Sequence, residues 1–356
     1  MKEGQWERPW IWQLGRCLLA VLTAAALLTG LTAASEALEG SVECSNRQEG
    51  RMLVPVGRTV GIKLFAEGVM VVGLTDVETE QGARSPAREL GLKSGDMITR
   101  INGQSVSSIE EVQDVLKDSG GRLELQIRRQ DQSFTCSGEA ALCRSGEEYK
   151  LGAWIRDSMA GIGTVTFYDP ATGQFGALGH GINDVDTGLI MPLESGAVMP
   201  SSVTGLLPGE KGSPGALHGS FDLSRELGRL TNNTPCGIFG TLYSDCFPGE
   251  RVPVARRDEV KTGAAIILAN VEGEQTEEYE IEILRIYPHS SQESQSLMLR
   301  ITDEDLLEKT GGILQGMSGS PIIQDGKLVG AVTHVLVNDP TRGYGIFIEN
   351  MLNAAG

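Results

Sequence analysis

One serine and one histidine of this 356-residue chain sit in settings that suit acyl transfer. Ser318 is the centre of Gly316-Met317-Ser318-Gly319-Ser320-Pro321, a hydroxyl held between small residues. Gly316 and Gly319 allow backbone shapes and close approaches that a side chain would block. Such a turn can aim the N–H groups around Ser318 at the point where an oxyanion develops. The competing reading is a glycine-rich turn with an ordinary exposed serine. The G-x-S-x-G elbow of α/β-hydrolases is excluded, because Ser320 takes the last position and strand signals follow instead of a helix. A serine hydroxyl needs a base within hydrogen-bond reach and a third group to orient that base. The chain has four histidines. His180, in Gly176-Ala177-Leu178-Gly179-His180-Gly181-Ile182, ends an apolar strand in a glycine-flanked turn that suits an imidazole presented into a cleft. His218 and His289 fall in polar or glycine-rich loops and read as surface residues. His334 ends the strand after the serine loop and reads either as a substrate contact or as a packed histidine. No His/Asp/Glu spacing suits a metal and no C-x-x-C pair occurs, which disfavours a metal-dependent hydrolase. Neither a metal nor a cofactor is expected.

These residues need strands to hold them. After the serine, Pro321 to Ile323 and Leu328 to Val332 read as a hairpin turning at Gln324-Asp325-Gly326. Before it, glycine-broken strands are expected over 151–158, 160–169 and 175–182, and further ones at 198–206, 236–243, 263–270, 277–287 and 296–302. Many short strands with few helices imply an all-β barrel or sandwich from residue 149 to the end. Upstream, Val60 to Phe65 and Gly68 to Gly73 read as two short strands joined by a tight turn at Ala66-Glu67-Gly68. Ser85 can cap a short helix that starts at Pro86 and ends at Gly91. Asn102-Gly103 is a hairpin turn, 109–117 has a helical apolar period, and 123–128 alternates as a strand.

The ends and the charge bound the setting. Residues 17–35 carry no charge and follow Lys2, Arg8 and Arg16, with a length between a signal-peptide core and a single membrane span. The segment 1–37 is therefore expected to be an apolar targeting helix that exports the rest, as an anchor or with later release. Residues 38–53 read as a linker. The net charge of −17, without a basic cluster, argues against nucleic acid as a partner. The cysteines are six; Cys136/Cys143 and Cys236/Cys246 could form local disulfides or remain thiols.

Two resemblances follow from these motifs. Ser85-Pro86-Ala87 leading to Gly91-Leu92 and Gly95-Asp96-Met97-Ile98, then Ile101-Asn102-Gly103, resembles a PDZ domain of the bacterial protease type over 54–138. The resemblance implies that Val60, Gly61 and Ile62 offer backbone N–H groups to a peptide's C-terminal carboxylate, and that the following strand accepts the peptide by β-augmentation. The serine loop with its proline and hairpin looks like that of chymotrypsin-like serine proteases. The runs Gly161 to Tyr168, Gly176 to Gly181, Ile301 to Pro321 and Gly330 to Val335 are similar to the SpoIVB peptidases, serine peptidases of sporulation. The expected architecture is thus mainly β: a targeting helix, an α+β PDZ domain, and a chymotrypsin-like β-barrel peptidase domain over 149–356.

By this resemblance Ser318 is the nucleophile, His180 the general base and Asp303 the third member, with the N–H groups of Gly316 and Ser318 as oxyanion hole. The residues themselves keep other acids open, since Asp169, Asp184 and Asp186 lie nearer His180 in sequence, and Asp303 can instead cap the turn that follows it. The resemblance further implies an exported, anchored or secreted signalling protease between the forespore and mother-cell membranes. It would cut a membrane-associated regulator of an intramembrane protease that matures a late sigma factor, and cut itself. The alternative is a non-catalytic PDZ adaptor with a protease-like scaffold.

Overall fold

The computed structural model describes residues 50–356 apart from Glu147 and Asp245. The targeting segment 1–37 and most of the expected linker lie outside the described residues, and the linker's last residues open the first strand, Met52–Pro55.

Alternation makes the barrels. In Gln275–Ile286, Tyr279, Ile281 and Ile283 are buried while Glu278 and Glu280 face solvent, the two-residue period of a half-buried strand. Gly263–Glu272, Gln275–Ile286, Leu297–Ile301, Asp339–Phe347, Lys327–Leu336 and Pro321–Gln324 close into a barrel in that order. Ile267, Ile283, Leu297, Leu299, Ile322 and Phe347 fill it. That is the second barrel in chain order; the first runs Thr59–Leu74, Ser195–Leu207, Gly228–Thr234, Gly237–Leu242, Gln174–Ala177, Ala153–Tyr168 and back to Thr59–Leu74, all antiparallel. Leu64, Val165, Phe175, Val198 and Ile238 form its core.

The expected order, residues 54–138 as one domain and 149–356 as the next, is not what the chain does. Thr59–Leu74 and Ala153–Tyr168 are each 16 residues long. Their halves 59–65 and 158–168 belong to the first barrel, while 69–74 and 153–156 belong to a smaller α+β domain inserted between them. The tight turn expected at Ala66-Glu67-Gly68 does not reverse the chain. Arg156 pairs with Met70 and Ser158 with Phe65, so residues 66–69 lie opposite Asp157 alone, and the strand bulges and runs on. Gly68 takes φ +97°, and a Cβ there would stand 2.6 Å from the Ile98 carbonyl oxygen. Glycine permits the bulge where the sequence suggested a hairpin.

The inserted domain continues the sheet through Met97–Ile101, Arg122–Arg129 and Gln132–Glu139. The helix Ile109–Asp118, capped by Ser108, lays Val112 and Leu116 on that sheet. Asn102-Gly103 and Asp325-Gly326 turn as expected, all four residues at positive φ, the requirement of a tight two-residue hairpin. The segment 139–148, between the two expected domains, carries part of a short ladder, with Ala141–Leu142 paired to Tyr149–Lys150. Cys136, Cys143, Cys236 and Cys246 form no disulfide.

Candidate active site

The serine loop is fastened from the first barrel. Thr164, on Ala153–Tyr168 and 1% exposed, donates its backbone N–H to the Ser318 carbonyl at 3.2 Å and its hydroxyl to the Gly316 carbonyl at 2.7 Å. Gly319 takes φ +100°, and a Cβ there would stand 2.1 Å from the Thr164 carbonyl oxygen, so the close approach requires glycine. Met317 N–H donates to Leu314, Gly319 N–H to Val332 and Ser320 N–H to Met317. The N–H groups of Gly316 and Ser318 find no acceptor among the described residues. These are the two donors expected for an oxyanion hole.

His180 reaches the same cleft through a strained turn. Leu178 has φ +68° and Gly179 N–H donates to the Ala177 carbonyl at 2.9 Å, an i to i+2 bond that makes a left-handed γ-turn at a branched residue. The strain, about 1–2 kcal/mol for a residue with a Cβ, is held by the Leu178 N–H bond to Thr164 at 3.1 Å and by burial of the side chain. The His180 Nδ1–H donates to the Gly181 carbonyl at 2.8 Å, which leaves Nε2 with its lone pair, the form a general base needs. Burial pulls the His180 pKa below its usual value, and the Gly181 bond offsets part of this. His334 stacks obliquely on His180, ring centroids 5.1 Å apart. Burial, then the charge of His180, lowers the His334 pKa to about 4, although His334 as a whole is exposed.

Ser318 and His180 line one cleft of about 500 Å³ with His334 and Thr333. Ile62, Met159, Leu178, Ile182, Ile313 and Val335 make most of its apolar wall. In this arrangement the Ser318 hydroxyl donates to the Thr333 carbonyl at 2.6 Å, and Thr333 in turn donates its own hydroxyl to Ser294 at 2.6 Å. The Ser318 hydroxyl is thus held on a backbone acceptor in the cleft that also holds His180.

Asp303 is elsewhere. It caps the helix Glu304–Thr310, with Oδ1 accepting from Leu306 N–H at 2.9 Å and Oδ2 from Glu280 N–H at 3.2 Å. The His180 ring bonds only to Gly181 among the described residues. Of the nearer acids, Asp169 accepts from Ala171 N–H within its own turn. Asp184 pairs with Arg156, and so does Asp186. Among the described residues no carboxylate bonds to the His180 ring.

Val60, Gly61 and Ile62 do not form a carboxylate site. They lie inside the first barrel, paired to Gly161–Gly163 on one side and to Val198–Pro200 on the other. A strand bonded on both edges has no free N–H row to offer, so this expectation is corrected. Among the described residues the inserted domain's sheet has two unpaired edges, Gln132–Glu139 and residues 153–158; the latter pair only with Thr59–Leu74. The helix Ile109–Asp118 packs beside this second edge, Ile109 N–H donating to Asp157 at 3.0 Å. Sequence reading missed Thr164, Thr333, Leu178 and Arg156. The signals were a threonine inside an apolar strand and an arginine in a glycine-rich one.

Paired barrels with a glycine-bound serine and a neutral histidine in one cleft place the chain in the class of two-barrel serine peptidases. Comparison with known proteins narrows this. Residues 147–352 match the SpoIVB peptidase S55 family and residues 79–129 match the PDZ domain. The chain belongs to the SpoIVB peptidase S55 family and carries a PDZ domain inserted in its first barrel. Serine protease HTRA1 of Xenopus tropicalis is 45% identical over 53 residues, 15% of this chain and 12% of that protein. Among solved structures, the HtrA-type protease AlgW with a tripeptide aligns at TM-score 0.33 and 14% identity, over 55% of this chain and 54% of that one. The Rv3671c protease from M. tuberculosis in its active form aligns at TM-score 0.31 and 15% identity, over 56% and 75%. The chain thus spans about an eighth of the curated relative and about half to three quarters of these structures.

Proposed function

We propose that the protein is a serine endopeptidase in which Ser318 attacks the peptide carbonyl and His180 accepts the hydroxyl proton through Nε2. Rotation about one side-chain bond takes the Ser318 hydroxyl from Thr333 towards the base. The N–H groups of Gly316 and Ser318 then receive the developing oxyanion. His180 next protonates the leaving amine, and water reverses the sequence on the acyl-enzyme. The observation that carries this reading is the pair of unbonded N–H groups beside Ser318 in the cleft that also holds His180. The largely apolar wall of that cleft favours peptides with apolar side chains at the cut.

The family supports a finer reading. In it the enzyme is exported, held by or released from its N-terminal segment between the forespore and mother-cell membranes. There it cuts a membrane-associated regulator of an intramembrane protease, as a sporulation signal, and cuts itself. The PDZ domain accepts a peptide along the unpaired edge 153–158, where main-chain bonds supply affinity. Self-cleavage tests the core of this. The full chain is followed by intact mass over hours beside Ser318→Ala and His180→Ala, and a fluorophosphonate labels the reactive serine. Trimming and labelling in the wild type alone support the reading. Labelling of Ser318→Ala at the wild-type rate sinks the nucleophile assignment, and equal silence of all three returns the chain to a PDZ adaptor.

A further inference from the structure

The loop that carries His180 rests on the PDZ domain. Two anchors hold it. Near its base, Asn233 of the first barrel accepts from Ile182 N–H at 2.9 Å and donates to the Ile182 and Met191 carbonyls at 2.9 and 2.8 Å. At its tip, Asp184 is fully buried. Its carboxylate accepts from Thr187 N–H at 2.8 Å, Thr187 hydroxyl at 2.9 Å and Asp186 N–H at 3.1 Å. These three bonds are internal to the loop and would form wherever the loop lay. The third partner, Arg156, comes from outside, through one guanidinium nitrogen to Asp184 and the other to Asp186 at 2.8 Å. A fork that grips two carboxylates fixes position as well as charge, and it decides where the loop sits.

Arg156 belongs to the PDZ half of its strand. It pairs with Met70, which pairs in turn with Met97 of the PDZ sheet. Two further contacts join the loop to that domain: the Thr187 hydroxyl lies 3.7 Å from the Met70 sulfur, and a Cβ on Gly95 would stand 2.6 Å from Leu189. The next residue along, Asp157, accepts from the N–H that opens the PDZ helix. Neighbouring side chains on a strand point to opposite faces, so adjacent residues hold the catalytic loop on one side and the PDZ helix on the other.

We propose that Arg156 is a positioning residue for His180, through which the PDZ domain sets the place of the catalytic base by way of Asp184. The proposal rests on the peptidase reading for its consequence but not for its geometry. A peptide bound on the edge 153–158 would press on the same residues, so occupancy of the PDZ domain is transmitted to the base.

The test uses the full chain with ¹³C-labelled histidine, as wild type, Arg156→Gln and Arg156→Lys, with each ring signal assigned by single His→Gln variants. Positions of the His180 and His289 signals, the fluorophosphonate labelling rate and the thermal midpoint are measured together. The expected result is a displaced His180 signal with His289 unmoved in Arg156→Gln, and a labelling rate lower by about tenfold to a hundredfold, the cost of misplacing a catalytic group by about 1 Å. Arg156→Lys, which keeps the charge but not the fork, should recover part of both. A His180 signal coincident with wild type and a labelling rate within about twofold overturn the proposal. If Arg156→Gln fails to fold, Arg156→Lys decides by the same two readouts. If the wild type never labels, the peptidase reading has failed, and the His180 signal still decides the positioning role.

Discussion

Substituting Asp303 by asparagine separates two roles that alanine would confuse. The Asp303 carboxylate caps the helix Glu304–Thr310 and accepts from Leu306 and Glu280 N–H groups. Asparagine caps a helix about as well as aspartate. What Asp303→Asn loses is the charge at a helix N-terminus, about 0.3–1 kcal/mol, and the second acceptor, since an amide NH2 cannot accept from Glu280 N–H, which costs about 1 kcal/mol more. For a protein of this size that lowers the thermal midpoint by a few degrees, at about 2–4 °C per kcal/mol. The labelling rate of Ser318 should stay within about threefold of wild type, because nothing bonded to His180 has changed. If Asp303 instead oriented the base, the same change would favour the wrong imidazole tautomer and cost about 10⁴-fold. The assay is the second-order rate of fluorophosphonate labelling on folded protein, with the melting curve recorded on the same sample. A loss of a thousandfold or more at an unchanged midpoint would refute the capping argument. Asp303→Ala should behave differently again, losing about 1 kcal/mol more of stability with the cap.

Three more outcomes follow from the geometry. Gly319→Ala should lose both labelling and several degrees of thermal midpoint, since its Cβ would stand 2.1 Å from backbone at φ +100°; a variant that labels normally contradicts the clamped loop. Stability should fall with acid as His334 resists protonation in the fold: its folded pKa of about 4 lies below the ordinary 6.5, so the unfolded chain binds the extra proton first and stability drops from about pH 6.5 down to about 4. Urea titrations at pH 7, 5.5 and 4.5 should show that drop reduced in His334→Gln, and an unchanged slope would count against it. Cys236, pushed to about 12 by burial and by its bond to Glu293, should resist iodoacetamide in the native protein, whereas alkylation at the rate of an exposed thiol would contradict its burial.

Local chemistry made some of this legible and hid the rest. Asn102-Gly103 and Asp325-Gly326 name their own turns, because few other pairs accept two positive φ angles in succession. Of the second barrel's strands, four were placed within two residues, as in 263–270 against Gly263–Glu272, while Leu328–Val332 stops short of Lys327–Leu336 and Asp339–Phe347 was not expected. The pairing of Thr59–Leu74 with Ala153–Tyr168 was not legible, since the partners lie some ninety residues apart and only their register shows the PDZ insertion. Gly68 misled for a related reason, as a glycine at positive φ serves a bulge as well as a hairpin. Thr164 and Arg156 act through partners remote in sequence, Gly316 for one and Asp184 for the other. No spacing in the chain announces such pairs.

The parked serine sets how strong any activator must be. The Ser318 hydroxyl gives up one hydrogen bond to Thr333 when it turns to His180. A bond of that kind is worth about 1 kcal/mol net, and a new one to the imidazole repays part of it. The turned form is therefore populated at about one part in five or better, since 1.4 kcal/mol is a factor of about ten. Such a bias makes a slow enzyme, not a silent one. Fluorophosphonate should label the wild-type chain without any peptide on the PDZ domain, and a peptide that occupies the edge 153–158 should raise the rate about fivefold at most by this route. An increase of a hundredfold would show that the resting form is held by more than the Thr333 bond. The tie from Thr333 to Ser294 would then be the contact that must yield.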